Sequence, residues 1–480
     1  MLNVERRDVE IRPDPTRVVA KPFVPGESAF AGGPSRAELI ADRVMKLTDD
    51  EVTKLLDETV ERFAGRHRDL VRTWEANADT ARGLVPGLEA VNGARRHLLG
   101  AVFTQEYAPG AAAICNPSIV QSPEGGGRFV LSVRSIGEGH ISSVEFRTGH
   151  VARDGSVQLD PPSPYLTTGT RRTPRYERRA FEGRLVDLGA DSMLTGRLVA
   201  DLGERFGYGE LQGALEVLRR SDVSEAAVFE TARLAHWFAS SNYELVFSES
   251  MPLSERILIP AGPADSQGIE DARFVRFVDD DGTSTYYATY TAFDGFTILP
   301  QLIETTDFVT FRIATLGGAC ARNKGMALFP RKIEGQYVAL GRHDLENLHV
   351  LRSDDIRTWS NAELIYGPGR GWELVQIGNC GSPIETEHGW LVLTHGVGPM
   401  RTYAIGALLL HLDDPSRVIG DLGSPLLEPA EDERNGYVPN VVYSCGAIVE
   451  DGTVVIPYGF SDQAIHVATV DLEELIAAMT

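Results

Sequence analysis

The sequence predicts an all-β core of short antiparallel strands with helical additions, and three observations predict this class. Short runs rich in β-branched and aromatic residues recur from about residue 100 and are separated by turns such as DDDG and EDGT. Helical patterns do not alternate with these runs, which indicates antiparallel rather than parallel sheets. Apolar residues recur at helical spacing mainly in 35–100 and 187–240. The pattern fits a propeller, a barrel or a sandwich, and a closed ring of blades suits the length of the β region.

The predicted strands have many Val, Ile, Tyr, Phe and Thr residues between turn residues. They are FVLSVRS (129–135), ISSVEF (141–146), ARFVRFV (272–278), TYYATYTAF (285–293), YVALGR (337–342), LHVLRS (348–353), GWLVLTHGV (389–397), YAIGALLLHL (403–412) and TVVIPYGF (453–460). Gly, Asp or Asn bounds most of them, so we expect tight turns between neighbouring strands.

These patterns divide the 480-residue chain into three parts. Residues 1–100 are predicted to form an extended arm followed by a helical extension. Residues 101–470 form the β domain, with a helical insertion at about 187–240. Residues 471–480 contain DLEELIAAM and predict a last short helix.

Two helix N-termini can be located within the extension. Ser35 with Glu38, and Thr48 with Glu51, have the spacing of a capping box. In a capping box, the hydroxyl and the carboxylate satisfy two backbone amides that the first turn leaves free. Helices are therefore expected to begin at these two points.

Charge and hydropathy exclude several classes of partner. The net charge of −22 disfavours nucleic acid and anionic membranes, because both attract an excess of Lys and Arg. No apolar run approaches the roughly 20 residues that span a bilayer. The first residues, MLNVERRDVEIRPDPTR, lack the apolar core of a signal peptide, so we expect a cytoplasmic protein.

The four cysteines are far apart and show no CxxC spacing; they are Cys115, Cys320, Cys380 and Cys445. A disulfide framework and a zinc site are both disfavoured by this spacing. We expect four buried thiols and no bound metal.

The segment GIEDARF contains an adjacent carboxylate pair, Glu270 and Asp271. Neighbouring residues on a strand point to opposite faces, so one carboxylate can face solvent while the other is held in the wall. A general acid needs a raised pKa and a fixed orientation, and the end of a strand can provide both. Taken alone the pair is a weak signal, because acidic pairs at strand ends are mostly solvated turns.

The β region also carries polar and aromatic side chains of the kinds that bind sugars. They are Asn116, Arg134, Trp390, His395, Tyr403, Asn440, Tyr458 and Asp462. Each has a purely structural alternative: Trp390 is expected in the core, and His395 fits a core position as well as a sugar subsite.

An ordered set of segments resembles glycoside hydrolase family 130, the mannoside phosphorylases and related β-mannosidases. The segments are CNPSIV (115–120), VLSVRS (130–135), GIEDARF (268–274), YYATYTAFDG (286–295), NKGMALFPRKIEGQYVAL (323–340), GSPIETEHGWLVLTHGV (381–397), YAIGALLLHLDDPSRVIG (403–420), GYVPNVVYSCGAIVEDG (436–452) and PYGFSDQAIHVAT (457–469). The resemblance implies a five-bladed β-propeller whose site lies in the central funnel. It also implies inverting cleavage of β-mannosides.

The resemblance implies roles for individual residues. Asp271 matches the general acid, although Ala272 stands where proline is usual. The implied substrate-binding residues are Asn116, Arg134, His395, Tyr403 and Asp462. Among these, Asn116 and Arg134 match groups that hold the mannosyl unit at the cleaved end, and Asp462 matches the carboxylate that binds that sugar's hydroxyls.

The match to a phosphate site is partial. Lys324 occupies the position of a phosphate-binding lysine. The usual His-Arg pair reads Gly341-Arg342, with His343 next to it, and an arginine expected near Leu299 is replaced. Arg312 and Arg322 are nearby substitutes.

The nearby acids allow a different nucleophile. Asp344 and Glu346 could activate water, which needs a base, whereas phosphate is already an anion. Their alternative is a solvated turn.

We expect an enzyme that cleaves β-1,2- or β-1,4-linked manno-oligosaccharides, with phosphorolysis to mannose 1-phosphate favoured. Hydrolysis by a β-mannosidase of the same family is the alternative, and a non-catalytic sugar-binding propeller is a second one. Phosphate is then a co-substrate and no cofactor is expected. The partner is an oligosaccharide, and a homo-oligomer is left open.

Overall fold

The structure is a computed structural model that describes residues 2–23, 25, 33–220 and 224–479. Parts of the predicted arm (1, 24 and 26–32), of the insertion (221–223) and of the last helix (480) lie outside these residues. The helices of the described residues are α1 Arg36–Met45, α2 Asp49–Phe63, α3 Leu70–Leu84, α4 Gly93–Val102, α5 Arg178–Asp187, α6 Ser192–Val199, α7 Tyr208–Arg219, α8 Glu225–Ser241 and α9 Leu472–Met479.

The described residues also form 30 strands. In chain order they are β1 Glu5–Ile11, β2 Val19–Pro22, β3 Thr104–Tyr107, β4 Ala113–Gln121, β5 Arg128–Ile136, β6 Ser142–Val151, β7 Val157–Leu159, β8 Thr167–Thr168, β9 Thr170–Arg172, β10 Tyr176–Glu177, β11 Arg205–Phe206, β12 Tyr243–Val246, β13 Arg256–Leu258, β14 Gly268–Val278, β15 Ser284–Phe293, β16 Ile298–Thr305, β17 Thr310–Thr315, β18 Ala327–Leu328, β19 Tyr337–Gly341, β20 Leu348–Ser353, β21 Asn361–Tyr366, β22 Gln376–Asn379, β23 Ile384–Thr386, β24 Gly389–Val397, β25 Tyr403–Leu410, β26 Val418–Asp421, β27 Val442–Tyr443, β28 Ile448–Glu450, β29 Thr453–Phe460 and β30 Ala464–Asp471.

The long strands form successive antiparallel sheets. Sheet 1 is β4 to β7, sheet 2 is β14 to β17 with β12 and β9 at its outer edge, sheet 3 is β18 to β21, sheet 4 is β22 to β26, and sheet 5 is β27 to β30 with β1. Sheets 1 and 2 are joined through the parallel pair of Gly268 with Ser142. The short β13 pairs with β6 of sheet 1 and with β8. In sheet 5 the N-terminal β1 lies beside β30, so the two ends of the chain share one sheet.

Each sheet packs against the next through a hydrophobic cluster. Pairs that share a cluster are Phe146 with Phe274 (sheets 1 and 2), Leu302 with Leu351 (2 and 3), Val350 with Val392 (3 and 4), Leu393 with Ile456 (4 and 5) and Val455 with Leu131 (5 and 1). The neighbours Val455 and Ile456 enter different clusters, because alternate residues face opposite sides of a strand. Both faces of these sheets are therefore buried, which explains their nearly continuous apolar runs.

The predicted strands and helix starts are confirmed. The runs at 348–353, 389–397 and 453–460 coincide with strands, and the others overlap one. The amide of Glu38 donates to Ser35 Oγ at 3.1 Å. The amide of Glu51 donates to Thr48 Oγ1 at 3.3 Å. The helices between sheets 1 and 2 occupy Arg178–Ser241, and thus begin earlier than residue 187.

Two predictions about single residue types are also confirmed. The four cysteines are buried free thiols. Trp390 is fully buried, packs edge-on against Phe329 with ring centroids 5.0 Å apart, and donates to the Leu412 carbonyl at 2.9 Å. In the part of the chain that the structure describes, every helix is too short or too polar to cross a bilayer.

Buried ion pairs tie the N-terminal region to the sheets. The Arg17 guanidinium donates to Glu145 of β6, and both side chains are buried. Arg147 also donates to this carboxylate, at 3.1 Å. In the helical extension, Arg68 makes two 2.6 Å hydrogen bonds with the buried Glu255 carboxylate.

We predict that Arg17→Met lowers the free energy of unfolding by about 3 kcal/mol, because it removes one partner of a buried pair. Arg12→Met is the matched control: it removes an exposed pair with Glu10 in the same arm, which contributes about 1 kcal/mol or less. Urea unfolding of both variants measures the difference. Equal losses of unfolding free energy in the two variants would contradict the larger contribution of the buried Arg17–Glu145 pair.

Candidate active site

Side chains from all five sheets converge on one pocket of about 200 Å³. Its lining residues are Asn116, Arg134, Asp271, Lys324, Arg342, Gln376, His395, Arg401, Tyr403, Val438, Val441, Tyr443 and Asp462. Most of them lie at strand ends or in the connections between strands, where side chains are free to face a common centre.

Two β-bulges orient the residues at the floor of the pocket. In β14 the register with β15 shifts between Glu270 and Arg273, and Asp271 has a left-handed φ of 55°. In β4 the register shifts after Cys115, and Asn116 has a φ of 48°. A bulge re-aims a side chain out of the alternation of its strand, and such sites are common beside active sites.

The bulge in β14 makes the expected orientation of the carboxylate pair wrong. Glu270 and Asp271 do not point to opposite faces, because one guanidinium contacts both. Arg134 Nη2 donates to Glu270 Oε1 at 2.6 Å, and its Nη1 donates to Asp271 Oδ1 at 3.0 Å. The extra residue in the bulge breaks the two-residue alternation on which the expectation rested.

Asp271 is an ionised carboxylate among several cations. Burial by itself raises its pKa, but the positive charges of Arg134, Lys324 and Arg273 outweigh burial. Asn116 Nδ2 also donates to Oδ1. The pKa of Asp271 is therefore held well below its usual range.

Arg273 fixes the backbone beneath this acid. It is fully buried and donates to the Asp271 carbonyl at 2.9 Å, to the Cys380 carbonyl at 3.1 Å and to Tyr443 Oη at 2.9 Å. These bonds link sheets 2, 4 and 5 directly below the pocket. Arg273 thus positions Asp271 through its main chain rather than through its carboxylate.

Asp462 is the second carboxylate that lines the pocket, and its pKa is shifted in the opposite direction. Burial and the nearby charge of Asp271 raise its pKa to about 6, although Arg134 and Arg401 act in the other direction. Its backbone is also left-handed, with a φ of 50°. Near neutral pH the pocket therefore holds one firmly ionised acid and one acid close to its titration point.

A buried glutamate supports the turn that carries Asp462. Ser461 Oγ donates to the Glu433 carbonyl at 2.6 Å, and Tyr458 Oη donates to the Glu433 carboxylate at 2.6 Å. The Val438 amide donates to the Ser461 carbonyl at 3.0 Å. Asp462 and the segment before β27 are therefore held together as one unit.

Cations from sheet 3 line another side of the pocket. Lys324 Nζ donates to Glu270 Oε2 at 2.6 Å. Arg342 is 8% exposed and has no ion pair with a carboxylate among the described residues, and its Nε lacks a hydrogen-bond partner there. Arg342 Nη1 lies 3.4 Å from His395 Nε2. Burial, Arg342 and Arg273 lower the pKa of His395 well below its ordinary value, so the imidazole is neutral.

Comparison with known proteins identifies the family. Residues 248–480 match the model of glycoside hydrolase family 130, described as beta-1,4-mannooligosaccharide phosphorylase. The 1,2-beta-oligomannan phosphorylase of Thermoanaerobacter sp. (strain X514) is 35% identical over 229 residues, which are 47% of this chain and 75% of that protein. The chain belongs to glycoside hydrolase family 130.

Two further family 130 comparisons cover different shares of the chain. The beta-1,2-mannobiose phosphorylase of Listeria innocua is 34% identical over 228 residues, 46% of this chain and 62% of that protein. A solved structure of beta-1,2-mannobiose phosphorylase from Listeria innocua with beta-1,2-mannobiose has a TM-score of 0.48 at 23% identity, covering 77% of this chain and 92% of that one. The residues matched by the family model exclude sheet 1, and thus Asn116 and Arg134.

The pocket brings together most of the residues predicted from the sequence. Its lining includes Asp271, Asn116, Arg134, Lys324, Arg342, His395, Tyr403 and Asp462. Asp344 and Glu346 are outside this lining and exposed. Asp344 accepts hydrogen bonds from the amides of Glu346 and Asn347 at 3.0 and 2.9 Å, so its carboxylate stabilises its own turn.

The two candidate arginine substitutes also lie outside the lining. Arg312 is on the outer part of sheet 2, where it pairs with Glu244 and Glu304. Arg322 is exposed.

Sequence reasoning missed Arg401, Gln376 and Tyr443. Arg401 follows β24 in a short turn with a φ of 56° and enters the pocket beside Tyr403. The signal for it was weak: a single arginine in the connection between two predicted strands. Tyr443 was hidden within the segment GYVPNVVYSCG, although its ring lies 4.7 Å from that of His395.

We predict that Asp462→Asn stabilises the protein increasingly as pH rises from 4 to 7. The folded-state pKa of Asp462, about 6, exceeds the unfolded value of about 3.9. The protonated form therefore contributes stability below pH 4 that is lost as pH rises through 6. The difference between variant and wild type should grow by about 2–3 kcal/mol across this range.

Urea unfolding at pH 4, 5, 6 and 7 measures this difference. Asp344→Asn is the control, since the carboxyl of Asp344 lies in an exposed turn. Burial raises the pKa of Asp344, but hydrogen bonds from Asn347 outweigh burial and lower it. A difference for Asp462→Asn that shrinks with pH would contradict the raised pKa.

Proposed function

We propose that this protein catalyses inverting phosphorolysis of β-mannosides and releases mannose 1-phosphate. The observation that carries the proposal is Arg342, a buried cation in the pocket wall without a carboxylate partner among the described residues. An unpaired buried charge is costly, and a bound anion would remove that cost. Lys324 and the neutral His395 adjoin the same position and add donors for a phosphate oxygen.

The proposed substrates are β-1,2- or β-1,4-linked manno-oligosaccharides. The similar proteins named above are phosphorylases of 1,2-beta-oligomannan and of beta-1,2-mannobiose, and the family model is described by a β-1,4 activity. Asp462, Asn116 and Arg134 are assigned to the hydroxyls of the mannosyl unit at the cleaved end. No cofactor is needed, and a cytoplasmic location would supply the phosphate.

We further propose that the five sheets form a closed five-bladed β-propeller with the pocket in its central funnel. The hydrophobic clusters between consecutive sheets support it, including the one between sheets 5 and 1. The position of β1 beside β30 supports it too, since strands from both chain ends would close the ring.

Asp271 is the proposed proton donor for the glycosidic oxygen. The surrounding cations keep it ionised, so it must take up a proton before it can act. A phosphate bound at Lys324 and Arg342 would offset part of that positive charge and raise the pKa of Asp271. Binding of the anionic nucleophile would thereby favour the protonated acid that the leaving group needs.

Hydrolysis needs a second carboxylate to activate water, about 6.5–9.5 Å from the acid in inverting enzymes. Asp344 and Glu346 were the candidates, and neither lines the pocket. Asp462 does line it, but binding of the sugar hydroxyls is its proposed role. The described pocket therefore favours phosphate over water.

The phosphate dependence tests the nucleophile. With β-1,2- and β-1,4-mannobiose, we expect mannose 1-phosphate only when phosphate is present. Arg342→Ala should raise the KM for phosphate about tenfold or more, because a charge-assisted bond of about 1.5–3 kcal/mol is lost. Arg312→Ala, on the outer part of sheet 2, should leave it unchanged. Free mannose released at equal rates without phosphate would instead support hydrolysis.

The assignment of the acid is tested separately. Asp271→Asn should lower kcat by about 10²–10⁴-fold, the usual contribution of general acid catalysis. Asp344→Asn should retain activity, because asparagine also stabilises such a turn. Steady-state kinetics with mannobiose and saturating phosphate compares them. Full activity of Asp271→Asn would contradict the proposed mechanism. Inactivity of Asp344→Asn would instead indicate that Asp344 acts as a base.

A further inference from the structure

Two exposed rings form a pair beside the pocket. His140, in the connection between β5 and β6, and Tyr437, before β27, have ring centroids 6.0 Å apart and planes inclined by 27°. Tyr437 Oη and His140 Nδ1 lie 2.9 Å apart and share a hydrogen bond. Tyr437 is 56% exposed, and His140 is also exposed. The two rings are thus oriented by each other rather than by burial.

Chain neighbours connect this pair to the pocket. Val438, directly after Tyr437, lines the pocket and is bonded to the turn that carries Asp462. Ser142, two residues after His140, accepts a 2.9 Å hydrogen bond from Arg134 Nε. The ring pair therefore joins the segment before β27 of sheet 5 to the β5–β6 connection of sheet 1, next in the chain to residues that line the pocket or contact its lining.

The pocket is too small for a whole oligosaccharide. Its volume of about 200 Å³ is below the roughly 300–1,000 Å³ of pockets that enclose larger ligands. A mannosyl unit inside it leaves the remaining sugar units at the mouth. The direction in which they leave is set by the reaction geometry.

Inversion places the nucleophile and the leaving group on opposite faces of the reacting sugar. The phosphate is assigned to Lys324 and Arg342, which belong to sheet 3. In the proposed closed ring of five sheets, the junction of sheets 5 and 1 lies across the centre from sheet 3. The position of Asp271 is consistent with a leaving group on the side of sheet 1, because its carboxylate accepts hydrogen bonds from Asn116 and Arg134 of that sheet.

We propose that His140 and Tyr437 form a stacking platform for the sugar unit on the leaving-group side of the cleaved bond. The inference rests on the proposed function and names the residues that hold the acceptor end of the substrate. A pyranose presents an apolar C–H face that packs on an aromatic ring, and ring hydroxyls or nitrogens can bond its hydroxyls. Exposed aromatic side chains that carry a hydroxyl or a ring nitrogen suit a binding surface that is in contact with water.

Kinetics in the synthetic direction test the platform, with mannose 1-phosphate as donor and mannose or mannobiose as acceptor. Tyr437→Ala and His140→Asn should raise the acceptor KM about two- to tenfold, the range expected for loss of an aromatic contact. Asparagine is chosen because it tolerates the left-handed backbone at residue 140, whose φ is 59°. The KM for mannose 1-phosphate should stay unchanged, since that ligand lies inside the pocket.

Two control variants distinguish stacking from general damage. Tyr437→Phe keeps the ring but removes the hydroxyl that bonds His140, and it should raise the acceptor KM less than Tyr437→Ala does. Phe229→Ala removes a 69% exposed ring on α8 of the helical insertion and should have no effect. An unchanged acceptor KM in both platform variants, or an equal rise in both KM values, would overturn the proposal.

Calorimetric binding of mannotriose without phosphate separates this proposal from the proposed function. If the wild type releases no mannose 1-phosphate but binds mannotriose more tightly than Tyr437→Ala, phosphorolysis fails and the platform stands. If Tyr437→Ala catalyses phosphorolysis and binds mannotriose as the wild type does, the platform fails and phosphorolysis stands. A wild type that binds no mannoside overturns both.

Discussion

The contact of Arg134 with Glu270 and Asp271 organises the pocket. Its guanidinium belongs to sheet 1, and the two carboxylates belong to sheet 2, so the contact also joins the two sheets. Lys324 binds the far oxygen of Glu270 and extends the network to sheet 3. These groups are largely buried, and removal of one would leave its partners uncompensated in a poorly solvated site. The position of Asp271, its ionisation and the placement of Lys324 all depend on this network.

Within the described part of the chain, some charged groups of the pocket have partners of opposite charge and others do not. The carboxylates Asp271 and Glu270 are already paired with cations, whereas Arg342 is not paired among the described residues. Asp462 titrates near pH 6, so its charge is the one most easily changed by a ligand. The side of the pocket with Arg342 suits a bound anion, and the side with Asp462 suits neutral hydroxyls. This arrangement agrees with a mannoside and phosphate as co-substrates.

The helical parts have cores of their own and join the sheets through few polar contacts. The insertion α5–α8 packs around Phe181, Phe206 and Phe238. The extension α1–α4 packs around residues such as Val52, Leu99 and Phe103. Arg68 and Arg17 connect the N-terminal region to the β domain through buried glutamates. The pocket residues thus lie on the sheets, whose burial on both faces keeps them rigid.

Local structure could be predicted from the sequence, because its signals act within a few residues. Apolar alternation predicted the strands, and the residue pairs Ser35/Glu38 and Thr48/Glu51 predicted the helix starts. The sequence also indicated most of the pocket through the family's ordered motifs. The directions in which individual side chains point depend on contacts between distant segments of the folded chain. The bulge turns Asp271 and Glu270 to one cation, the turn at Asp344 keeps that acid outside the pocket, and the approach of distant segments adds Arg401 and pairs His140 with Tyr437. Such contacts join residues up to several hundred positions apart, for example 297 between His140 and Tyr437, and no local pattern encodes them.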